Sequence, residues 1–315
     1  MKISVIIATR NRADALEKIS LPSLAKQDFK DFEVIIWDAS NDDKSKIVVE
    51  NFIQSHPDMI VMYFKASRVG SASQRNDAVK VARGDIIFFI DDDSEVSMNG
   101  LQVIFETLEK KDYYGCQLEI HELEGNIKRS RFSLYIYAIL SMIFRIVGGS
   151  NRRYVRLSGY GTHENKIAQK LFDNKSKDPE WLKGGAMACK REVFKEHSFD
   201  ERLQKFGGYA LGEDLMFSYS IYLSGYKLTY GKGAYVIHHH VNTGRIGSVY
   251  MYASWIYNFH LIWKTIIFPR HKFSIIVRWW AIFGYLIVFT GESLSKRSFI
   301  PLKGWWIGVK TIFEG

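Results

Sequence analysis

The sequence predicts a doubly wound, mostly parallel α/β sheet followed by an aromatic helical tail. Short β-branched runs alternate with helix-like patterns through the first third of the chain, as βαβ units require. Those runs end in polar clusters, Thr9-Arg10-Asn11, Asp38–Asp43 and Asp91–Asp93, where an open α/β sheet gathers its ligands. Beyond Val249 the chain becomes strongly aromatic and apolar.

Ile3–Ala8 is continuously apolar apart from Ser4 and reads as a buried parallel strand. Leu16, Ile19 and Leu24 mark a helix, with Pro22 as a point of kinking or breakage. Glu33–Trp37 is a second strand, Ile47–Gln54 a helix and Met59–Phe64 a third strand. Gln74–Arg83 is a helix closed by Gly84, and Asp85–Ile90 a fourth strand running straight into three aspartates. Gly159–Pro179 is polar and loop-like. Order resumes at Trp181, through Gly184-Gly185 and a helix from Leu215.

With 315 residues, 47% of them hydrophobic, the chain can bury a sizeable core, and a net charge of +9 favours anionic partners. The basic residues are dispersed and the aromatics sit in apolar runs, which argues against nucleic-acid binding. Cys116 and Cys189 are too few for a disulfide framework or a zinc site and read as buried thiols in a reducing compartment. The opening MKISVIIATRNR is too short in its apolar run for a secretory leader or a span, which places the folded part in the cytosol.

Three adjacent carboxylates at a buried strand end repel one another, and a divalent cation, Mg²⁺ or Mn²⁺, would relieve the repulsion, with a nucleotide diphosphate completing its shell. A solvated acidic turn would use the same residues. Asp38 is placed to accept from a base imide N–H, with Thr9 and Arg10 on the adjacent strand end, although Asp-Ala-Ser-Asn-Asp-Asp is also good turn chemistry. Arg68, Arg75 and Asn76 are placed to meet a diphosphate or sugar, or else line an exposed helix face. Glu213-Asp214 follows the glycine-rich KFGGYALG and opens a helix; the pair serves either as a cap or as the base that takes a proton from an attacking hydroxyl. His238-His239-His240 ends the run AYVI; alternation puts His238 and His240 on one side as candidate metal ligands. Arg245, just beyond, suits a leaving diphosphate.

Taken together, SVIIATRNRADAL, VIIWDASNDD, QRNDAVKVARGDIIFFIDDDSEV, WLKGGAMACKREVF and GEDLMFSYSIYLSGYKL resemble the family 2 glycosyltransferases with the GT-A fold, over roughly the first 245 residues. The resemblance implies a metal-dependent enzyme that moves one sugar, with inversion, from a nucleotide-diphosphate sugar, UDP- or dTDP-linked by preference. The expected acceptor is a hydroxyl of a glycan, or of a polyprenyl-linked glycan where the chain lies at a membrane. It implies that Asp38 contacts the base with Thr9 nearby, that Asp91 and Asp93 form the DxD pair around Asp92, and that Gly184 and Gly185 floor the sugar site. Asp214 is then the base, beside Glu213. The implied organisation is a catalytic region over residues 1–245, comprising a nucleotide-sugar half (1–115), an apolar insert (116–180) and an acceptor half (181–245), then a helical region over 246–315. The insert is longer and greasier than in the simplest members. The Gln-x-x-Arg-Trp signature and multiple spans of the polymerising branch are missing, which favours transfer of a single sugar. A nucleotidyltransferase on a related sheet would want a glycine-rich loop where ATRNRAD stands, and a non-catalytic membrane scaffold would not need the acidic triplet with Glu213-Asp214.

SLYIYAILSMIF in mid-chain and SWIYNFHLIWKTIIF and FSIIVRWWAIFGYLIVFT in the tail carry basic flanks and dense tryptophan and tyrosine. That pattern suits peripheral or shallow attachment to an anionic membrane surface at its cytoplasmic face, with Arg278 reaching toward the interface. The alternative is a helical bundle packed on the catalytic region or across an oligomer contact.

Overall fold

The computed structural model describes residues 1–110, 112–122, 139–146, 148–150, 153–164, 178–239 and 248–314. The chain folds into two compact units: Met1–Gly125 with Leu182–Glu201 and Ser220–Arg245, and Asn126–Trp181 with Arg202–Tyr219 and Ile246–Gly315.

The first unit is built on an eight-stranded sheet. Its strands are β1 (Ile3–Thr9), β2 (Phe32–Asp38), β3 (Ile60–Lys65), β4 (Ile86–Asp91), β5 (Ser94–Val96), β6 (Tyr113–Glu122), β9 (Ala186–Lys190) and β10 (Lys227–His238), in the order β3-β2-β1-β4-β9-β6-β10-β5. Strands β7 (Gly148–Ser150) and β8 (Thr162–Glu164) pair in a separate two-stranded ribbon that belongs to the second unit. β1, β2, β3 and β4 run parallel, as do β6 and β10, whereas β9 is antiparallel to both its neighbours and β5 is antiparallel to β10. The sheet is therefore mixed and mostly parallel. β1 and β4 are nearly all apolar because both of their faces are covered, and their side chains join the core formed by Leu16, Leu21, Leu24, Leu101 and Ile104.

Helices α1 (Ala13–Ala15) and α2 (Leu21–Ala25) are joined without a break by a π-helical turn, Leu16–Ser20. Pro22 enters in the first turn of α2, so the widened turn ahead of it absorbs the missing N–H and the expected break becomes a continuous helix. Helices α3 (Lys44–Ser55), α4 (Ser71–Val81) and α5 (Gly100–Glu109) complete the unit. Cys116 and Cys189 are free and buried, and burial raises both thiols well above their ordinary range. At the amino ends of the strands, the wholly buried Glu33 accepts from Ser4 Oγ at 2.6 Å, from Arg83 N at 2.7 Å and from Arg83 Nε at 2.8 Å.

The second unit holds helices α7 (Ser248–Ile262), α8 (Ser274–Lys296) and α9 (Ile300–Glu314), and the first turns of α6 (Glu213–Leu223). α9 lies directly on α7 because Gly304 and Gly308 leave room: a Cβ at these positions would come within 2.4 Å of Tyr252 Cβ and 2.7 Å of Ile256 Cβ. Among the described residues α8 alone is long and apolar enough to cross a membrane, by length and composition. Contrary to expectation, Arg278 does not reach toward an interface. Its side chain is fully buried, donates to the carbonyls of Ser158 at 3.0 Å and Ile256 at 2.8 Å, and stacks 4.9 Å from the centroid of Tyr160. Carbonyl and ring contacts inside the protein hold this guanidinium, where an interfacial position would have required a stretched stem and water. Of the mid-chain apolar segment, residues 133–138 lie outside the described residues, and Ile139 to Ile143 are helical.

Candidate active site

The parallel registers bring three polar strand ends side by side. Thr9 is opposite Asp38, and Ala8 is opposite Asp91. Asn11, just after β1, takes a left-handed conformation at φ 55°, which this short polar side chain tolerates. Its N–H donates to Ser40 Oγ at 2.7 Å, and its Oδ1 accepts from Asn41 N at 3.0 Å, so the loops after β1 and β2 are stitched together. The turn also swings Arg12 back toward the aspartates.

The three aspartates then divide the work. Asp92 points into the protein, where it accepts from Thr9 Oγ1 at 2.6 Å and Arg12 Nη1 at 2.8 Å. Burial pushes its carboxyl up to about 6, against the pull of Arg12 and Thr9. Asp93 is buried as well, and its Oδ2 accepts from Arg12 Nη1 at 3.0 Å. Burial alone would depress the Arg12 guanidinium, but Asp92, Asp93 and Asp91 hold it above its ordinary value. Asp91 is the most open of the three, with 38% of its side chain exposed, and faces Arg75 Nη2 at 3.2 Å.

Asp91, Asp93 and His238 each offer a ligand atom, all within 4.8 Å of one another. His238 comes from β10, where it is paired with Ser94 of β5, next to Asp93. Its Nε2 lies 3.1 Å from Asp93 Oδ1. That hydrogen bond, opposed by burial and helped by Asp91, raises the imidazole above its ordinary value. His239 turns the other way, to Glu95 Oε2 at 3.0 Å, as strand alternation requires. The set is two carboxylates and an imidazole, hard and borderline donors suited to Mg²⁺ or Mn²⁺. His240 and Arg245 lie outside the described residues.

Gly185 adjoins this cluster because Ala186 of β9 is paired with Ile90 of β4. A Cβ at Gly185 would stand 2.8 Å from Asp91 Oδ2, so only glycine leaves that carboxylate its position. Gly184 is buried beside it, and Lys183 N donates to Gln117 Oε1 at 2.6 Å. Arg75, buried in α4, has its guanidinium 5.9 Å from the Phe89 ring and 5.6 Å from the Phe199 ring, which aims it at Asp91. Asn76 is engaged elsewhere: its amide exchanges two 2.9 Å hydrogen bonds with the backbone of Phe199. Arg68 pairs with Glu201 and, at 3.5 Å, with Asp77.

Asp38 is wholly buried and accepts from Ser40 N at 2.8 Å, from Ser40 Oγ and from Tyr63 OH at 2.8 Å, with Lys65 Nζ 3.8 Å away. Burial and Asp38 together raise the Tyr63 phenol above its usual range. Trp37 and Phe64 stack at 4.9 Å beside this group. Arg10, by contrast, makes no hydrogen bond or ion pair among the described residues, and its Nε is buried without a partner. In the second unit, Glu213 and Asp214 open α6 after Gly212, which has φ +85°; Asp214 Oδ1 accepts from Leu215 N at 2.8 Å.

Sequence reasoning missed Arg12, Tyr63 and Ser40. Arg12 was visible in TRNR, but its role depends on the left-handed turn at Asn11. Tyr63 and Ser40 carry no signal short of the β2–β3 register.

Comparison with known proteins turns this arrangement into a family assignment. The model of the family described as Glycosyl transferase family 2 matches residues 4–197, more than half of the chain. The chain belongs to glycosyl transferase family 2. The matched span takes in nearly all of β1, the aspartate triplet and the Gly184-Gly185 pair. Among curated family relatives, the GalNAc(5)-diNAcBac-PP-undecaprenol beta-1,3-glucosyltransferase of Campylobacter jejuni is 32% identical over 129 residues, 41% of each chain. The match therefore spans about two-fifths of that relative's length. Among solved structures, GalNAc-T7 with UDP, GalNAc and Mn²⁺ superposes with a TM-score of 0.60 at 19% identity, covering 87% of this chain and 51% of that one. The mannosyltransferase PcManGT from Pyrobaculum calidifontis, in complex with GDP-Man and Mn²⁺, gives 0.54 at 16% identity, covering 98% and 86%. The fold is thus the GT-A type, a mixed sheet flanked by helices.

Proposed function

We propose that this family 2 chain is an inverting glycosyltransferase that moves one sugar from a nucleotide-diphosphate sugar, UDP- or dTDP-linked by preference, to a hydroxyl of a glycan or lipid-linked glycan. The observation that carries the reading is the cluster of Asp91, Asp93 and His238 at the carboxyl ends of the strands, with the unpartnered Arg10 following β1. Two carboxylates and an imidazole within reach of one ion fit Mg²⁺ or Mn²⁺, and these three residues would hold it. Bound there, the ion neutralises charge on the departing diphosphate.

The chain's own groups supply the rest. Arg12 holds Asp93 in place from behind, so that carboxylate meets a ligand without having to reorganise. Gly185 keeps Asp91 open. Asp38, buttressed by Ser40 and Tyr63, shapes the end of the crevice assigned to the base, with Thr9 behind it. Arg10 offers a cation to the nucleotide. Asp214 takes the proton of the acceptor hydroxyl as its oxygen attacks the anomeric carbon from the face opposite the leaving nucleotide, which gives inversion. Support for a lipid-linked acceptor comes from the undecaprenol-linked group in the name of the Campylobacter relative, and support for a membrane surface from the apolar helix α8; the cytoplasmic face is part of the proposal alone.

Calorimetric titration of the full chain with UDP-, dTDP- and GDP-sugars, with and without Mn²⁺, tests the reading. One nucleotide class is expected to bind with Mn²⁺ and to lose most of its affinity on chelation. Absence of metal-linked binding for every class overturns it.

A further inference from the structure

The second unit carries an apolar surface that the sugar-transfer reading leaves unexplained. On α8, Ile276, Trp280, Phe283 and Ile287 recur at spacings of four, three and four, so they form a single stripe. All four are exposed, Ile276 at 75% and Phe283 at 47%. The opposite stripe, Arg278, Ala281, Ile282, Tyr285 and Phe289, is buried. Ile143 and Met142 extend the bare face, at 53% and 69% exposure. They are joined to it by a hydrogen bond from Trp280 Nε1 to Ile143 O at 2.9 Å and by Phe144 lying 5.0 Å from the Trp280 ring. Between these segments runs a groove of about 530 Å³, lined by Ile143, Val155, Leu157, Ile276 and Trp280, with Arg145 exposed at its rim. Contiguous apolar surface of this kind is kept in water only where something covers it.

Charge identifies the occupant. No aspartate or glutamate occurs between Asp214 and Glu292, or between Glu124 and Glu164, the two stretches that supply this face. Arg145, Arg270 and Lys272 lie within them. Aromatic and aliphatic side chains drawn from stretches that hold basic and no acidic residues match an anionic headgroup layer over acyl chains, and Glu180, which accepts from Val155 N at 3.1 Å beside the groove, is half-buried.

We infer that the Ile276–Ile287 stripe of α8, with Met142 and Ile143, is the surface by which this chain lies on an anionic phospholipid bilayer, the helix in the plane of the interface rather than across it. Arg278 favours this orientation over a lone crossing helix. Both terminal nitrogens of its guanidinium are bound to the carbonyls of Ser158 and Ile256, and this holds one side of α8 against protein. Lipid contact is left to the other side alone.

Sedimentation of the full chain with phosphatidylcholine vesicles, with and without about one third phosphatidylglycerol, tests the inference. Binding is expected to be about tenfold stronger on the anionic vesicles and to weaken as salt rises. Ile276→Glu with Phe283→Glu should lower it by about tenfold or more with melting temperature unchanged. Met142→Glu, on the separate segment, supplies the same test should the double variant melt early. Equal binding of variants and parent overturns the inference, as does failure of the parent to sediment with anionic vesicles. So does a parent that self-associates without lipid while the variants are monomeric, because the face is then a contact between copies. Vesicle binding needs no sugar transfer, so its failure would leave the enzymatic reading standing.

Discussion

His238 Nε2 lies 3.1 Å from Asp93 Oδ1, although the two residues are 145 positions apart. The contact joins the end of β10 to the aspartate triplet and sets an imidazole beside two carboxylates, the group to which the proposed function assigns the cation. Asp93→Ala is expected to abolish Mn²⁺-dependent nucleotide binding, whereas His238→Ala should weaken Mn²⁺ by about 10–100-fold and leave some binding. Calorimetry with and without Mn²⁺ reads both. Equal nucleotide affinity in Asp93→Ala and parent removes Asp93 from the site.

Arg12 offers a different kind of test, because it faces the aspartates from behind. Arg12→Ala leaves Asp92 and Asp93 buried without their cation. It should cost about 1–3 kcal/mol of stability and reduce metal affinity. Denaturant unfolding and metal titration measure the two effects. A variant with parental stability and parental Mn²⁺ affinity contradicts the positioning role.

Gly185→Ala separates geometry from folding. The added methyl meets only the far end of the Asp91 side chain, 2.8 Å away, so the carboxylate is displaced while the backbone has no cause to move. Melting temperature should change little and metal affinity should fall. An unchanged affinity shows that Asp91 does not need the position described.

Asp214→Asn is expected to retain donor binding and lose about 10²–10⁴ in transfer rate, the usual effect of removing a general base. Rapid-quench turnover beside donor calorimetry distinguishes the two. Near-parental turnover assigns proton removal to another group.

Glu33 gives a pH dependence far from the site. Burial raises its carboxyl, but hydrogen bonds from Ser4 and from the Arg83 backbone and guanidinium prevail, and the net shift is below the ordinary value. A depressed folded-state value means the stabilisation is present above the unfolded value, near pH 4.5, and is lost as pH falls through the folded one. Unfolding followed across acid pH should show a steeper loss in the parent than in Glu33→Gln. Parallel curves would count against a charged Glu33.

The first four strands and their polar ends were legible in the sequence because buried parallel strands are continuous apolar runs and end abruptly. Asp91, Asp93 and His238 were legible as ligand types, and β10 alternation separated His238 from His239. What was hidden depends on pairing between distant segments. β6 carries no period that distinguishes it from the apolar insert that follows, and residues Cys116–Glu122, read as the start of that insert, belong to the sheet. Arg278 looked like an interfacial side chain because its partners are backbone carbonyls, which no side-chain pattern reveals. Asn76 reads as a sugar contact by composition, yet its amide ties down the Phe199 backbone.

The placement of β10 has a consequence for how the molecule is made. During synthesis Asp91, Asp92 and Asp93 emerge early, while the strand bearing the imidazole follows well over a hundred residues later. That same strand lies between β6 and β5 and pairs with both. A nascent chain that stops short of it has an acidic triplet with Arg12 and Arg75 as its counterions, but neither the imidazole beside Asp93 nor the strand that links β6 to β5. On the proposed cation site, ion binding at full strength and completion of the sheet therefore become a single late event, and a truncated chain should hold manganese more weakly than the finished one.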